Sequence, residues 1–207
     1  MSSPGKSFVY PAFRDAHLHF LGLGYTKSLV DLSNASSKSE LISRLKKNLG
    51  NSILVGRGWN HEEFLEKSFL TKDDLDQVSK VEPIIAIRVC GHIVSVNSAA
   101  LEKIAKMTSL QGDMEQGILK EDEIRFAYAL YEKPTKAQLL SYLKIADDIC
   151  LKNGITKVAS DDFCIFPLPF TDIMDAIVTA YESNLIQAEI TEQINLSKED
   201  FELFLSL

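Results

Sequence analysis

The chain has 207 residues, 45% of them hydrophobic and 25% charged, and a formal net charge of -7. That is the composition of an ordinary globular protein with enough chain for a sizeable core. The acidic balance and the absence of a lysine or arginine cluster exclude a nucleic-acid phosphate partner. No apolar run reaches membrane-spanning length and no signal peptide opens the chain, so no membrane partner is expected. Three widely spaced cysteines, Cys90, Cys150 and Cys164, suit reduced thiols in a cytoplasmic protein.

In chain order, residues 8–21 read as a strand running into a glycine-bearing loop, Gly22-Leu-Gly24, with a helical stretch around residues 26–32. Ser37, with Glu40 three residues on, reads as the cap of a helix that carries Leu41, Ile42, Leu45 and Leu49 and stops at Gly50. Residues 53–55 form a short apolar strand entering a turn-rich segment, Gly56-Arg-Gly-Trp-Asn60. Thr71 caps a short acidic helix over 72–79, Pro83 leads into a strand over 84–87, and Asn97 opens a helix to about Lys106. Gly117-Ile-Leu119 precedes a helix around 121–131. The strongest helix spans 134–152: proline suits its first position, and Leu139, Leu143, Ala146 and Cys150 mark one apolar face. Asn153-Gly154 supplies a left-handed stop. A strand over 155–159, a helix over 171–181, a strand over 185–194 and a helix over 197–205 complete the pattern. Strand-then-helix order without an internal repeat predicts one α/β domain over 1–207 with a largely parallel sheet.

The segment with the most chemistry is His17-Leu-His19. Alternate side chains of a strand share a face, so His17 and His19, together with Asp15, are expected on one side. Two imidazoles a strand repeat apart supply half a zinc shell. An ordinary half-buried strand with two solvent-facing histidines has the same spacing.

Pro11-Ala-Phe-Arg-Asp-Ala-His-Leu-His-Phe20 resembles the first barrel strand of the amidohydrolase superfamily, metal-dependent hydrolases on a TIM-barrel scaffold. The likeness continues in order through Asp31-Leu-Ser-Asn-Ala-Ser-Ser37, Gly56-Arg-Gly-Trp-Asn60 and Leu75-Asp76. It goes on through Gly91-His-Ile-Val-Ser-Val-Asn-Ser-Ala-Ala-Leu101, Gly117-Ile-Leu-Lys-Glu121 and Asn153-Gly-Ile-Thr156. These segments are similar to the branch that includes N-substituted formamide deformylases.

The resemblance implies a partial TIM-barrel-like fold and a divalent metal, zinc in the complete family site, held in part by His17 and His19 at the C-terminal end of the first strand. Such a metal lowers the pKa of a bound water for attack on an amide-type carbon–nitrogen bond. Asp15 would then fix the strand end or a histidine orientation rather than bind metal. His92, beside Gly91 in a loop after a strand, is implied as a substrate-binding residue, the alternative being a histidine bonded to nearby backbone. Trp59 is implied as an apolar wall of the substrate pocket, with buried packing as its alternative. His61 reads as a surface residue. Asp161 and Asp162 sit at a strand rim, where they could neighbour a metal, lie in a solvated loop or cap a helix.

The resemblance also implies what is missing. A complete member has a bridging ligand, two later histidines, a late aspartate and flanking β-sandwich segments, whereas all four histidines here fall by position 92. The expectation is an N-terminal portion of a small-molecule hydrolase, inactive alone and weak in metal binding. Its open sheet edge would be covered by self-association or by a complementing chain. The alternatives are a non-enzymatic α/β interaction domain and one subunit of a split hydrolase. Arg14, of opposite parity to the histidines, is expected to point away from the metal side, on a back face less buried than in a full barrel.

Overall fold

The computed structural model describes residues 9–50, 53–107 and 115–207. In chain order the elements are β1 (Phe13–Leu18), α1 (Phe20–Ser28), β2 (Val30–Asp31), α2 (Lys38–Lys46), β3 (Leu54–Trp59), α3 (Lys72–Asp76), β4 (Ile84–Arg88) and β5 (Ile93–Val96). There follow α4 (Ser98–Met107), β6 (Ile118–Lys120), a 3-10 turn (Glu121–Glu123), α5 (Ile124–Tyr128), α6 (Lys136–Lys152), β7 (Ile155–Ser160), α7 (Phe170–Glu182), β8 (Glu189–Glu192) and α8 (Lys198–Phe204). Among the described residues no helix is long and apolar enough to cross a membrane.

The chain divides into two compact units, residues 1–28 with 133–207, and residues 29–132. The alternating pattern does not announce this division, because both units are built of strands and helices. In the first unit β1, β7 and β8 form a parallel sheet in that order, each strand followed by a helix in the same unit. This is the repeating β/α unit of a barrel wall, and it bears out the α/β, partial-barrel expectation. Its core joins Phe20 and Leu21 of α1 to Leu139, Leu143, Ala146 and Cys150 of α6, and to Val158, Ile173, Ala176 and Ala180. The apolar face anticipated for α6 is therefore the buried one.

The second unit holds a five-stranded sheet in the order β2-β3-β4-β5-β6. β2, β3 and β4 are parallel, whereas β4–β5 and β5–β6 are antiparallel. Its two faces carry separate cores, one around Leu32, Leu41, Trp59 and Leu75, the other around Ile87, Val94, Leu101 and Ile124. Asn97 ties this unit together from a fully buried position. Its Oδ1 accepts the Ile84 and Ala100 amides at 2.9 and 3.0 Å, and its Nδ2 donates to the Ser79 and Glu82 carbonyls at 2.7 and 2.8 Å.

Several boundaries differ from the sequence expectation for identifiable reasons. The glycines of Gly22-Leu-Gly24 lie inside α1 rather than in a loop, because α1 packs so closely on α6 that a Cβ on Gly24 would stand 1.8 Å from the Tyr142 carbonyl oxygen. Gly56-Arg-Gly-Trp59 is strand rather than turn. Gly56 leaves room for Leu32, and Gly58, at φ +111°, forms a bulge against β4. Pro134 precedes α6 instead of opening it; Thr135 is the cap, in a reciprocal capping box with Gln138. Ser37 and Thr71 cap α2 and α3 as expected, and Gly154 takes the left-handed conformation after α6 at φ +74°.

Candidate metal centre

β1 ends at Leu18 and α1 begins at Phe20, so His19 alone makes the junction between strand and helix. β1 pairs with β7 in register Asp15↔Val158 and Leu18↔Ser160, three residues against two. That bulge changes the face alternation. Asp15 aligns with the fully buried Val158, on the side covered by helices, and its charge reaches Cys150 of α6. Arg14 aligns instead with Lys157 and Glu189, and it is exposed. The expected common side for Asp15 and the two histidines therefore does not form. Asp15 braces the strand end: its Oδ1 accepts the His17 backbone N–H at 3.0 Å.

The two imidazoles nevertheless lie together, with ring centroids 5.5 Å apart and planes at 74°. Two imidazoles on one tetrahedral zinc, each with a Zn–N bond of about 2.0–2.1 Å, place their centroids roughly 5 Å apart. His19 Nδ1 is hydrogen-bonded to the Asp161 carbonyl. A carbonyl oxygen only accepts, so Nδ1 carries the proton and Nε2 of the neutral ring is left as a bare lone pair. An outer partner that fixes the tautomer in this way is the usual support of a metal-binding histidine. The donor pair thus fits two positions of a divalent-metal shell. Among the described residues no group of three or more His, Cys, Asp or Glu side chains is arranged to hold an ion.

Three consecutive residues at the end of β7 and just past it hold the junction. The Phe20 N–H donates to Ser160 Oγ at 2.9 Å, and the Leu21 N–H donates to both Asp162 carboxylate oxygens at 3.0 Å. Ser160 Oγ–H donates to Asp162 Oδ2 at 2.7 Å, and the Asp161 N–H donates to the Leu18 carbonyl at 3.2 Å. Asp162 is fully buried, its N–H donates to Glu192 Oε2 at 3.3 Å, and Glu192 Oε1 is buried without a hydrogen bond. Burial pushes the Asp162 carboxyl above the usual carboxylate range, against the lowering pull of its N–H donors. Burial, then the neighbouring Asp162 charge, pushes Glu192 up to about 8. Of the readings open for the paired acids, Asp162 is a helix cap. Ser160 and Glu192 went unnoticed in the sequence. The only signal for Ser160 was that Ser-Asp-Asp is a run of capping residue types at the end of a strand instead of before a helix.

The remaining candidates lie in the second unit. Trp59 is 0% exposed, its indole N–H donates to the Ala86 carbonyl at 3.0 Å, and it stacks on Phe64 at 6.2 Å. It is a core residue with no surface left to wall a pocket. His92 stands exposed at the β4–β5 hairpin, its Nδ1 3.2 Å from Glu121 Oε2. His61 is half-buried rather than on the surface. Its ring lies 4.2 Å from that of Phe69 at 21°, and its Nδ1 accepts from Arg88 Nε at 3.3 Å.

Comparison with known proteins bears on the family and the fold. Residues 7–166 match the amidohydrolase family. The putative amidohydrolase YtcJ of Bacillus subtilis is 35% identical over 118 residues, which are 55% of this chain and 22% of YtcJ. The protein LONG AFTER FAR-RED 3 of Arabidopsis thaliana is 32% identical over 115 residues, 54% of this chain and 19% of that protein. The chain therefore spans about a fifth of the length of these curated relatives. The crystal structure of an uncharacterized metal-dependent hydrolase from Pyrococcus horikoshii superposes with a TM-score of 0.71 at 25% identity, covering 95% of this chain and 38% of that one. A second, from Pyrococcus furiosus, superposes with a TM-score of 0.67 at 24% identity, covering 88% and 37%, and it supports the fold alone.

Proposed function

We propose, because this chain belongs to the amidohydrolase family, that His17 and His19 are two ligands of a divalent metal, zinc by ligand chemistry, in a hydrolase of amide-type carbon–nitrogen bonds. The observation that carries this is the His19 tautomer: the Asp161 carbonyl takes the Nδ1 proton and leaves Nε2 bare, 5.5 Å centroid to centroid from a second imidazole. When bound, the metal supplies Lewis acidity and an acidified water. The chain's own residues do the placing. Asp15 holds the His17 backbone, and Asp161 orients the His19 ring. His92, exposed and steadied by Glu121, is available to hydrogen-bond a small-molecule substrate.

Two imidazoles make half a shell, so the remaining ligands come from outside the described residues, in the same polypeptide or in a complementing chain. An amide of the N-substituted formamide type follows from the motif resemblance, and the substrate itself is set by loops that vary within the fold. Zinc titration of the 207-residue chain by calorimetry is the test. Binding weaker than micromolar, lost in both His17→Ala and His19→Ala, is the expected result, with no hydrolysis of amide substrates. Zinc uptake unchanged by both substitutions would overturn the assignment of the ligands. Robust turnover by the chain alone would overturn the half-shell reading.

A further inference from the structure

The residue at the N-cap position of α1 is His19, which has no short oxygen side chain with which to satisfy the first helical amides. Its ring is committed elsewhere, to the Asp161 carbonyl. The capping work is done across the sheet, by residues about 140 positions later in the chain: Ser160 takes the Phe20 amide and Asp162 takes the Leu21 amide. Residues 19, 20 and 21 are thus held one by one by residues 161, 160 and 162.

We propose that Asp162 is the positioning residue of the histidine pair: by clamping the start of α1 to the end of β7 it keeps His19 over the Asp161 carbonyl, with Nδ1 protonated and Nε2 bare. The assignment rests on the metal-centre reading above only for what Nε2 receives. Asp162 itself is not a ligand. Both of its carboxylate oxygens are occupied by the Leu21 amide, one of them also by the Ser160 hydroxyl, and it has no exposed surface. The geometry explains why an acid is needed there. A carboxylate presents two acceptor oxygens, so the helix amide can reach both while the serine hydroxyl takes one of them, and the N-terminal end of α1 favours negative charge. Ser160 relays the hold, since its oxygen accepts from Phe20 while its proton goes to Asp162.

The experiment uses the full 207-residue chain, 15N-labelled and without metal, at mildly alkaline pH. Long-range ring 1H–15N correlations report which nitrogen of His19 carries the proton. A free neutral imidazole in water favours the Nε2–H form, so the wild-type chain is expected to stand out with its proton on Nδ1. Asp162→Ala shifts His19 toward Nε2–H and weakens zinc binding about tenfold, the lower end of the effect of removing an outer-shell partner. Asp162→Asn, which keeps one acceptor oxygen, restores part of both. If Asp162→Ala does not fold, Ser160→Ala takes its place, with a shift in the same direction. An undiminished Nδ1–H form in Asp162→Ala, or in Ser160→Ala where the first variant is unfolded, overturns the proposal. A tautomer that shifts as expected while the wild-type chain, Asp162→Ala and His19→Ala all take up zinc alike would support the positioning role and refute the metal reading instead.

Discussion

Gly24→Ala sets two physical effects against each other with opposite signs. Intrinsic helix propensity favours alanine in the interior of α1 by about 1 kcal/mol. Packing opposes it: the new Cβ would lie 1.8 Å from the Tyr142 carbonyl oxygen, 2.5 Å from its carbon and 2.9 Å from its Cα. All three are main-chain atoms of α6, which cannot rotate away as a side chain would. Reaching an ordinary contact of 3.4 Å would require α1 and α6 to separate by about 1.5 Å. A gap of 0.5–1 Å already forfeits about a quarter to a half of the dispersion energy of facing atoms. That loss would fall on Phe20, Leu21, Leu139 and Leu143, all of them buried in the core of this unit. Overpacking costs about 1–3 kcal/mol when neighbours can adjust, and here they cannot. The expected net loss is about 3 kcal/mol or more after the propensity gain. Amide hydrogen exchange along α6 reads this unit directly, while the single tryptophan, Trp59, reports on the other. A Gly24→Ala chain as protected as the wild type, or more so, would refute the packing argument and leave propensity as the dominant effect.

Glu192, pushed up to about 8 by burial and the Asp162 charge, keeps its proton in the folded chain at pH values where the unfolded chain, with an ordinary value of 4.5, has lost it. The folded state then binds more protons, so stability falls as pH rises from about 4.5 to about 8 and levels off above that. Glu192→Gln should flatten this fall, and urea midpoints for the two chains that stay parallel across that range would count against it. Asn97→Ala removes four hydrogen bonds, two buried and two part-buried, and leaves two amides and two carbonyls without that partner. A loss of at least about 3 kcal/mol is expected, read by Trp59 fluorescence during denaturation, and a loss under about 1 kcal/mol would show that water replaces the side chain. The β1 edge carries Phe13 at 61% exposure, and light scattering should show a mass that rises with concentration and falls in Phe13→Lys. A clean monomer at every concentration would remove self-association from the picture.

Local signals in the sequence determined a good deal. Capping chemistry placed the starts of α2 and α3 at Ser37 and Thr71, because one side-chain oxygen and the amide three residues on form a closed local system. The 3.6-residue spacing of Leu139, Leu143, Ala146 and Cys150 named the buried face of α6. His17-Leu-His19 and the ordered motifs pointed to the amidohydrolase family, which the match over residues 7–166 shows.

Tertiary structure decided what depends on atoms distant in the chain. Gly22 and Gly24 looked like a loop, since nothing local reveals that Tyr142 will press against Gly24 or Ile165 against Gly22. Gly56-Arg-Gly-Trp59 looked like a turn for the same reason, its glycines answering to Leu32 and to a bulge against β4. Asp15 parted from the histidines because register against β7, rather than strict alternation, sets the faces of β1. The His19 tautomer came from a backbone carbonyl at position 161, a group every residue possesses and no sequence pattern can mark. The two imidazoles could be read as a candidate pair from their spacing. The proton on Nδ1, and so the nitrogen left free to bind, follows only from how β7 meets the end of β1.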